Sequence, residues 1–169
     1  MLRPIVRFGD ARLGRPAAPV TTFDATLDRL IDDMIDTMYA APGIGLAAPQ
    51  IGEPLRLCVI DLSVGRKGGE LLTLVNPEFV EREGMQLEDE GCLSVPGFNA
   101  TVPRPNRAVV RAQDRTGQTR TIEATGLLAR AFQHEIDHLD GLLFLDRLRG
   151  LKRDMITRRI RKLQRAGTW

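Results

Sequence analysis

Residues 126–140 read GLLARAFQHEIDHLD, and this stretch sets the architecture around it. Leu127, Leu128, Ala131, Phe132, Ile136 and Leu139 spread around most of the circumference of a helix with ~3.6 residues per turn. A helix apolar on most sides belongs in the interior, beneath sheets. Thr125 stands at the N-cap position and Gly141 just past the end. Inside the stretch, His134-Glu135-Ile136-Asp137-His138 carries the only two histidines of the chain. Positions i and i+4 share a helix face, so two imidazoles there can grip one metal ion, with Glu135 beside them to move a proton on and off a metal-bound water. Buried polar groups are costly unless bonded, and a metal supplies a partner for the histidines.

Working outward, residues 24–40 (DATLDRLIDDMIDTMYA) predict an amphipathic helix. Leu27, Leu30, Ile31, Met34, Ile35 and Met38 form its apolar stripe, Asp24 its N-cap, and Pro42-Gly43 its end. The next segment, GIGLAAPQIGEP (43–54), is too rich in Gly and Pro to suggest a regular element. Residues 55–62 and 70–76 read as strands around a Gly-rich turn, and 78–88 and 106–125 supply further strands. The last of these is broken at Asp114-Arg115-Thr116-Gly117, a hairpin signal. Residues 147–165 predict a third helix, amphipathic through Leu151, Met155, Ile156, Ile160 and Leu163. The order helix, strands, helix, helix implies an α+β fold: mostly antiparallel sheets packed around a buried central helix carrying HExxH, with an N-terminal and a C-terminal helix.

Composition bounds the function. A chain of 169 residues, 43% hydrophobic and 27% charged, reads as one globular domain spanning 1–169, with no run approaching a membrane span. Its N-terminus has no export-type apolar region. Two cysteines, Cys58 and Cys92, make a disulfide framework a poor reading and suit a reducing, cytoplasmic setting. The net charge of +2 hides a division: residues 147–165 hold nine of the 24 basic residues, leaving 15 basic against 21 acidic elsewhere. Such a helix fits an anionic partner, and equally fits a solvated surface.

The third ligand separates the classes of HExxH protein. In HEIDHLDGLLF, Phe144 stands where the pattern HExxHxxGxxH needs its last histidine, and no glutamate follows Glu135. A peptidase cleaving internal bonds therefore lacks its ligand. Upstream, Cys92 lies in Glu90-Gly91-Cys92-Leu93-Ser94, and a thiolate with two imidazoles suits a divalent transition metal while leaving a fourth position open. Its alternative role is that of a small buried hydrophobe, which fits Cys58 much better. A non-enzymatic RNA-binding factor with a structural metal is the rival of a different class. It would need a fourth protein ligand, and none is recognisable.

With these residues in view, the chain resembles the peptide deformylases. Three motifs match in order: Gly43-Ile44-Gly45-Leu46-Ala47-Ala48-Pro49-Gln50, Glu90-Gly91-Cys92-Leu93-Ser94 and Gln133-His134-Glu135-Ile136-Asp137-His138. The likeness runs from PIVRFGDARL near the start through the C-terminal helix. It implies hydrolysis of the formyl group from the N-terminal formylmethionine of new polypeptides, with release of formate. It also implies one divalent metal held by Cys92, His134 and His138, with iron, Fe(2+), as the usual cellular ion and Zn(2+), Ni(2+) or Co(2+) in prepared protein. Glu135 would act as general base and then acid, with the Gln50 amide and the Leu93 backbone N–H as oxyanion donors. For Gln50 a loop hydrogen bond, and for Leu93 a core position, are the simpler alternatives. Gly43 and Gly45 would allow close approach of a substrate strand. Ile44, Leu128 and Ala131 are candidates for the methionine pocket and equally suit ordinary core packing. Phe98-Asn99 departs from the arginine or tyrosine that many family members carry nearby. The expected partners are formylmethionyl N-termini of nascent chains and, through the basic helix, a weak ribosome contact, with no membrane and no DNA.

Overall fold

A computed structural model describes residues 1–169. Helix α1 spans Ala25–Ala40, and the Asp24 carboxylate caps it by accepting from the Leu27 N–H. The strands are β1 (Gly45–Ala47), β2 (Leu57–Ile60), β3 (Leu72–Glu83), β4 (Gln86–Gly91), β5 (Asn99–Arg104), β6 (Arg107–Gln113) and β7 (Thr119–Thr125). Helices α2 (Gly126–Leu139) and α3 (Leu151–Arg165) complete the chain. Strands β1-β2-β3-β6-β7 form one sheet and β4-β5 a second, with every pairing antiparallel. The α+β arrangement is the one expected. No helix is long and apolar enough to cross a membrane.

The five-stranded sheet is covered on both faces where β1, β2 and β3 lie. Ala47, Cys58, Ile60 and Leu74 pack with Ala129, Phe132, Ile136 and Leu139 of α2. The alternate residues Leu46, Leu57, Val59 and Val75 pack with Leu27, Ile31, Met34 and Met38 of α1. All four residues of β2 are therefore buried, which is why its sequence shows no polar alternation. In α2 every residue from Ala129 to Leu139 is buried. A third cluster joins the middle of α3 to the small sheet and includes Val102, Phe144, Ile156 and Ile160.

Several expectations need correction. The 43–54 segment is not devoid of regular structure: Gly45–Ala47 pairs with β2, and Ala48–Ile51 forms a 3-10 turn. Pairing to a neighbouring strand, invisible in local sequence, supplies the missing hydrogen bonds. The segments 70–76 and 78–88 are not two strands meeting at 77, because β3 runs through Asn76-Pro77. The register shifts there, a bulge that accommodates a proline without an N–H to donate. Strand β5 was not anticipated. Thr125 is the N-cap of α2, but its side chain makes no capping bond. Helix α3 starts at Leu151, and only Ile156 and Ile160 are buried on it; Leu151 is 79% and Met155 58% exposed.

Candidate active site

Helix α2 places His134, Glu135 and His138 on the face that looks toward the β4–β5 connection, where Cys92 follows β4 directly. One donor atom from each of Cys92, His134 and His138 lies within 4.8 Å of the other two. Cys92 Sγ is 3.3 Å from His138 Nε2 and accepts from the Ser94 N–H at 3.4 Å. A thiolate and two imidazoles converging at this distance suit a borderline-soft divalent cation. Burial pushes the His138 imidazole well below its ordinary range, which keeps it neutral and able to ligate. At His134 burial works in the same direction, but hydrogen bonds to Cys92 and Glu90 overcome it and raise the group. A divalent ion would compete with that proton for the ring nitrogen.

The orientation of His134 comes from outside the motif. Its Nδ1 donates to Glu90 Oε1 at 2.5 Å, leaving Nε2 for the cluster. Glu90 in turn accepts from Arg104 Nε at 2.8 Å and Nη2 at 2.5 Å, and from Arg130 Nη1 at 2.6 Å. Burial would raise this carboxyl, yet Arg104 and His134 hold it well below the carboxylate range. Arg104 also donates to Asp137 Oδ2 at 2.9 Å, and Arg147 donates to the same carboxylate. This network was missed in the sequence. Its only sign was a glutamate two residues before the cysteine and an aspartate one before the second histidine.

Glu135 is 4% exposed, and its Oε2 has no hydrogen-bond partner. Burial lifts its carboxyl to about 7, so the group can take up and release a proton near neutrality. The close approach of β1 to this carboxylate explains Gly45: a Cβ there would overlap Glu135. Gly43 similarly makes room for Leu93. The Gln50 side chain is fixed at both ends. Its Oε1 accepts from the Ala47 N–H at 2.9 Å, while Nε2 donates to Ser94 Oγ at 3.1 Å and lies 3.6 Å from Cys92 Sγ. Both the loop bond and the approach to the cluster therefore belong to one amide.

A cavity of about 770 Å³ opens over these groups. Ile44, Gly45, Gln50, Leu93, Ala131 and Glu135 line it. Leu128 does not: it packs against the core between α2 and the sheet, and its neighbour Leu127 faces the cavity instead. One residue is 100° around a helix, which an unanchored sequence cannot resolve. Phe98 also turns away, lying 6.0 Å from the Trp169 ring with the Arg159 guanidinium over it.

A cysteine and two histidines converging on one point beside a buried carboxylate form the donor set and the acid–base group of a metal-dependent hydrolase. The family model for polypeptide deformylase matches residues 2–154. A peptide deformylase of Acidobacterium capsulatum is 54% identical over 169 residues, covering 100% of this chain and 99% of that protein. A crystal structure of a peptide deformylase from Legionella pneumophila superposes with a TM-score of 0.92 at 50% identity, over 99% of this chain and 98% of that one. Another, from Synechococcus elongatus in complex with actinonin, has a TM-score of 0.87 at 39% identity, covering 98% and 88%. The chain belongs to the polypeptide deformylase family. It is a hydrolase that removes the N-formyl group from nascent polypeptides.

Proposed function

We propose that residues 1–169 form one catalytic domain in which Cys92, His134 and His138 hold a single divalent ion. The ion proposed for the cell is Fe(2+), on the strength of the family resemblance, with Zn(2+), Ni(2+) or Co(2+) able to take the same donors in prepared protein. When bound, that ion supplies Lewis acidity toward water and the formyl carbonyl. The chain's own residues do the rest. Glu135 takes a proton as the water oxygen attacks the formyl carbon. The Gln50 Nε2 and the Leu93 backbone N–H donate to the carbonyl oxygen as it gains negative charge. Collapse breaks the C–N bond, Glu135 returns the proton to the departing amine, and formate leaves. Ile44, Ala131 and Leu127 flank the methionine side chain, and Gly45 lets the substrate backbone lie close to β1.

The observation that carries this reading is the convergence of three donor atoms beside an unpartnered, buried Glu135 oxygen at the floor of a cavity. Anaerobic incubation of metal-loaded protein with formyl-Met-Ala-Ser, with formate and metal content measured together, tests it. Stoichiometric metal with no formate release overturns it.

The setting proposed is the bacterial cytoplasm, which suits two free cysteines. A weak ribosome contact through α3 is supported by Lys152, Arg158, Arg161, Lys162 and Arg165, all exposed and without a carboxylate partner. Binding of that kind falls steeply with salt, because neutralised phosphates release counterions. Co-sedimentation of protein with these five residues replaced by Gln tests it without disturbing Ile156 or Ile160. Unchanged ribosome binding at low salt rules the contact out.

A further inference from the structure

Beyond α3 the chain turns back onto the domain, and the residues there account for the turn. Gly167 has φ +73, the left-handed conformation that closes many helices. Around it, Thr168 N–H donates to the Leu163 carbonyl at 3.0 Å and Gly167 N–H to that of Gln164 at 3.1 Å. The reversal delivers Trp169 to the Phe8 carbonyl, which accepts from its Nε1 at 2.9 Å. Gln164 Nε2 donates to the same oxygen at 3.3 Å. Gly9 leaves room for that amide, since a Cβ there would fall 2.5 Å from Gln164 Nε2. Phe8 carries the contact inward. Its N–H donates to the Ser94 carbonyl at 2.8 Å, and Val6 N–H donates to the Gln50 carbonyl at 2.7 Å. Residues 6–8 therefore clip the Gln50 turn to the Cys92–Ser94 loop. Trp169 also meets the far end of that loop, its ring 6.0 Å from Phe98. Phe8, Cys92, Phe98 and Trp169 all pack against one apolar cluster that includes Val95 and Ile160.

We infer that Trp169 is a positioning residue: through Phe8 and Phe98 it fixes the Cys92–Ser94 loop, and so the Cys92 sulfur and the Leu93 N–H, relative to Gln50. This rests on the reading above, in which Cys92 is a ligand and Leu93 and Gln50 donate to one oxyanion. Such donors are effective only when their spacing is set before the reaction. Cys92 and Leu93 lie outside every helix and strand, so no regular ladder of hydrogen bonds sets it. Within the loop, Ser94 N–H meets Cys92 Sγ and Val95 N–H meets the Cys92 carbonyl. Ser94 ties the loop inward to Gln50 and outward to Phe8. Trp169 itself does not line the cavity, and it acts through these neighbours.

The test compares wild type, W169A, W169F and I160V, each loaded with Co(2+) as a probe of the Cys92 sulfur. The thiolate-to-cobalt absorption band, the rate of cobalt release to a chelator, and kcat and KM for formyl-Met-Ala-Ser are read. W169A should release cobalt about tenfold faster, the lower end of the effect of a partner outside the ligand set. Its band should shift, and kcat should fall with KM nearly constant. W169F keeps a ring against Phe98 while Gln164 still holds the Phe8 carbonyl, so it should behave as wild type. I160V loosens the same apolar cluster but leaves every bond of Phe8 in place. At equal stability, set with urea, it should keep the wild-type band and release rate. The inference is overturned if W169A keeps both, if W169F changes as far as W169A, or if I160V releases cobalt as fast as W169A at equal stability. Should W169A not fold, W169L fills the space without ring or N–H and is judged by the same criteria. Failure of the metal-site reading shows separately, as wild type that binds no cobalt or gives no thiolate band.

Discussion

Two sets of charged side chains in this molecule obey opposite rules. Beneath the Cys92–His134–His138 cluster, Glu90, Arg104, Arg130 and Asp137 have side chains no more than 8% exposed, and all are joined by hydrogen bonds. On α3, Arg158, Arg161, Lys162 and Arg165 stand in solvent with no carboxylate partner. The inner set is costly to desolvate and is stable only as a complete network. Each member consequently fixes the position of its neighbours, down to the ring of His134. The outer set has little influence on the fold, and its members are free to meet a partner. Arginine in the first set is a structural fixture, and in the second an available charge.

The contrast is sharpest where a buried charge also performs chemistry. Glu135→Gln should lower turnover of formyl peptides by about 10²–10⁴-fold, the usual range for a positioned acid–base group, with metal content unchanged. Kinetics and metal analysis on one preparation check this, and turnover at the wild-type level would remove Glu135 from the mechanism.

Arg104→Met breaks the inner network itself. It removes one arginine from each of two buried carboxylates, leaving Glu90 to Arg130 and His134 and Asp137 to Arg147, for which a loss toward the lower end of about 3–5 kcal/mol is expected. Denaturant midpoints measure it, and a chelator-driven metal-loss assay should show faster release. A loss under 1 kcal/mol would make the inner set equivalent to the outer one.

Proton linkage gives the next effect. Burial raises Glu135 from 4.5 to about 7, so in metal-free protein the folded state binds this proton more tightly than the unfolded state. Its favourable contribution is full below pH 4.5 and is lost as pH rises through 7. At about 1.4 kcal/mol per pKa unit, that loss amounts to about 3 kcal/mol. Glu135→Gln has no proton to lose, so stability relative to wild type should climb across this window. Parallel stability–pH curves for the two metal-free proteins would contradict the assignment.

The smallest effects belong to α3. Arg158→Gln or Arg161→Gln should change stability by no more than about 0.5 kcal/mol, as expected for surface sites away from packing. Thermal denaturation checks this. A larger loss would show that the outer charges also brace the fold.

The sequence alone determined what depends on local period and on residue chemistry. The spacing of His134 and His138 is a property of one helix turn, and the apolar stripe of α1 is one of consecutive turns. The choice of Cys92 followed from donor chemistry together with the lack of a histidine at 144 or a later glutamate. Contacts between elements far apart in the chain were beyond it. Glu90 meets His134 across 44 residues and Arg104 meets Asp137 across 33, through the docking of the small sheet against α2. Gly45 proved necessary because a strand passes beside Glu135, a fact about two elements rather than one. Likewise, the rotation of α2 put Leu127 at the cavity and Leu128 in the core, and packing left Leu151 and Met155 exposed on α3. Hydrophobic periodicity shows that a helix has an inner face; only the partner it packs against decides where that face begins and ends.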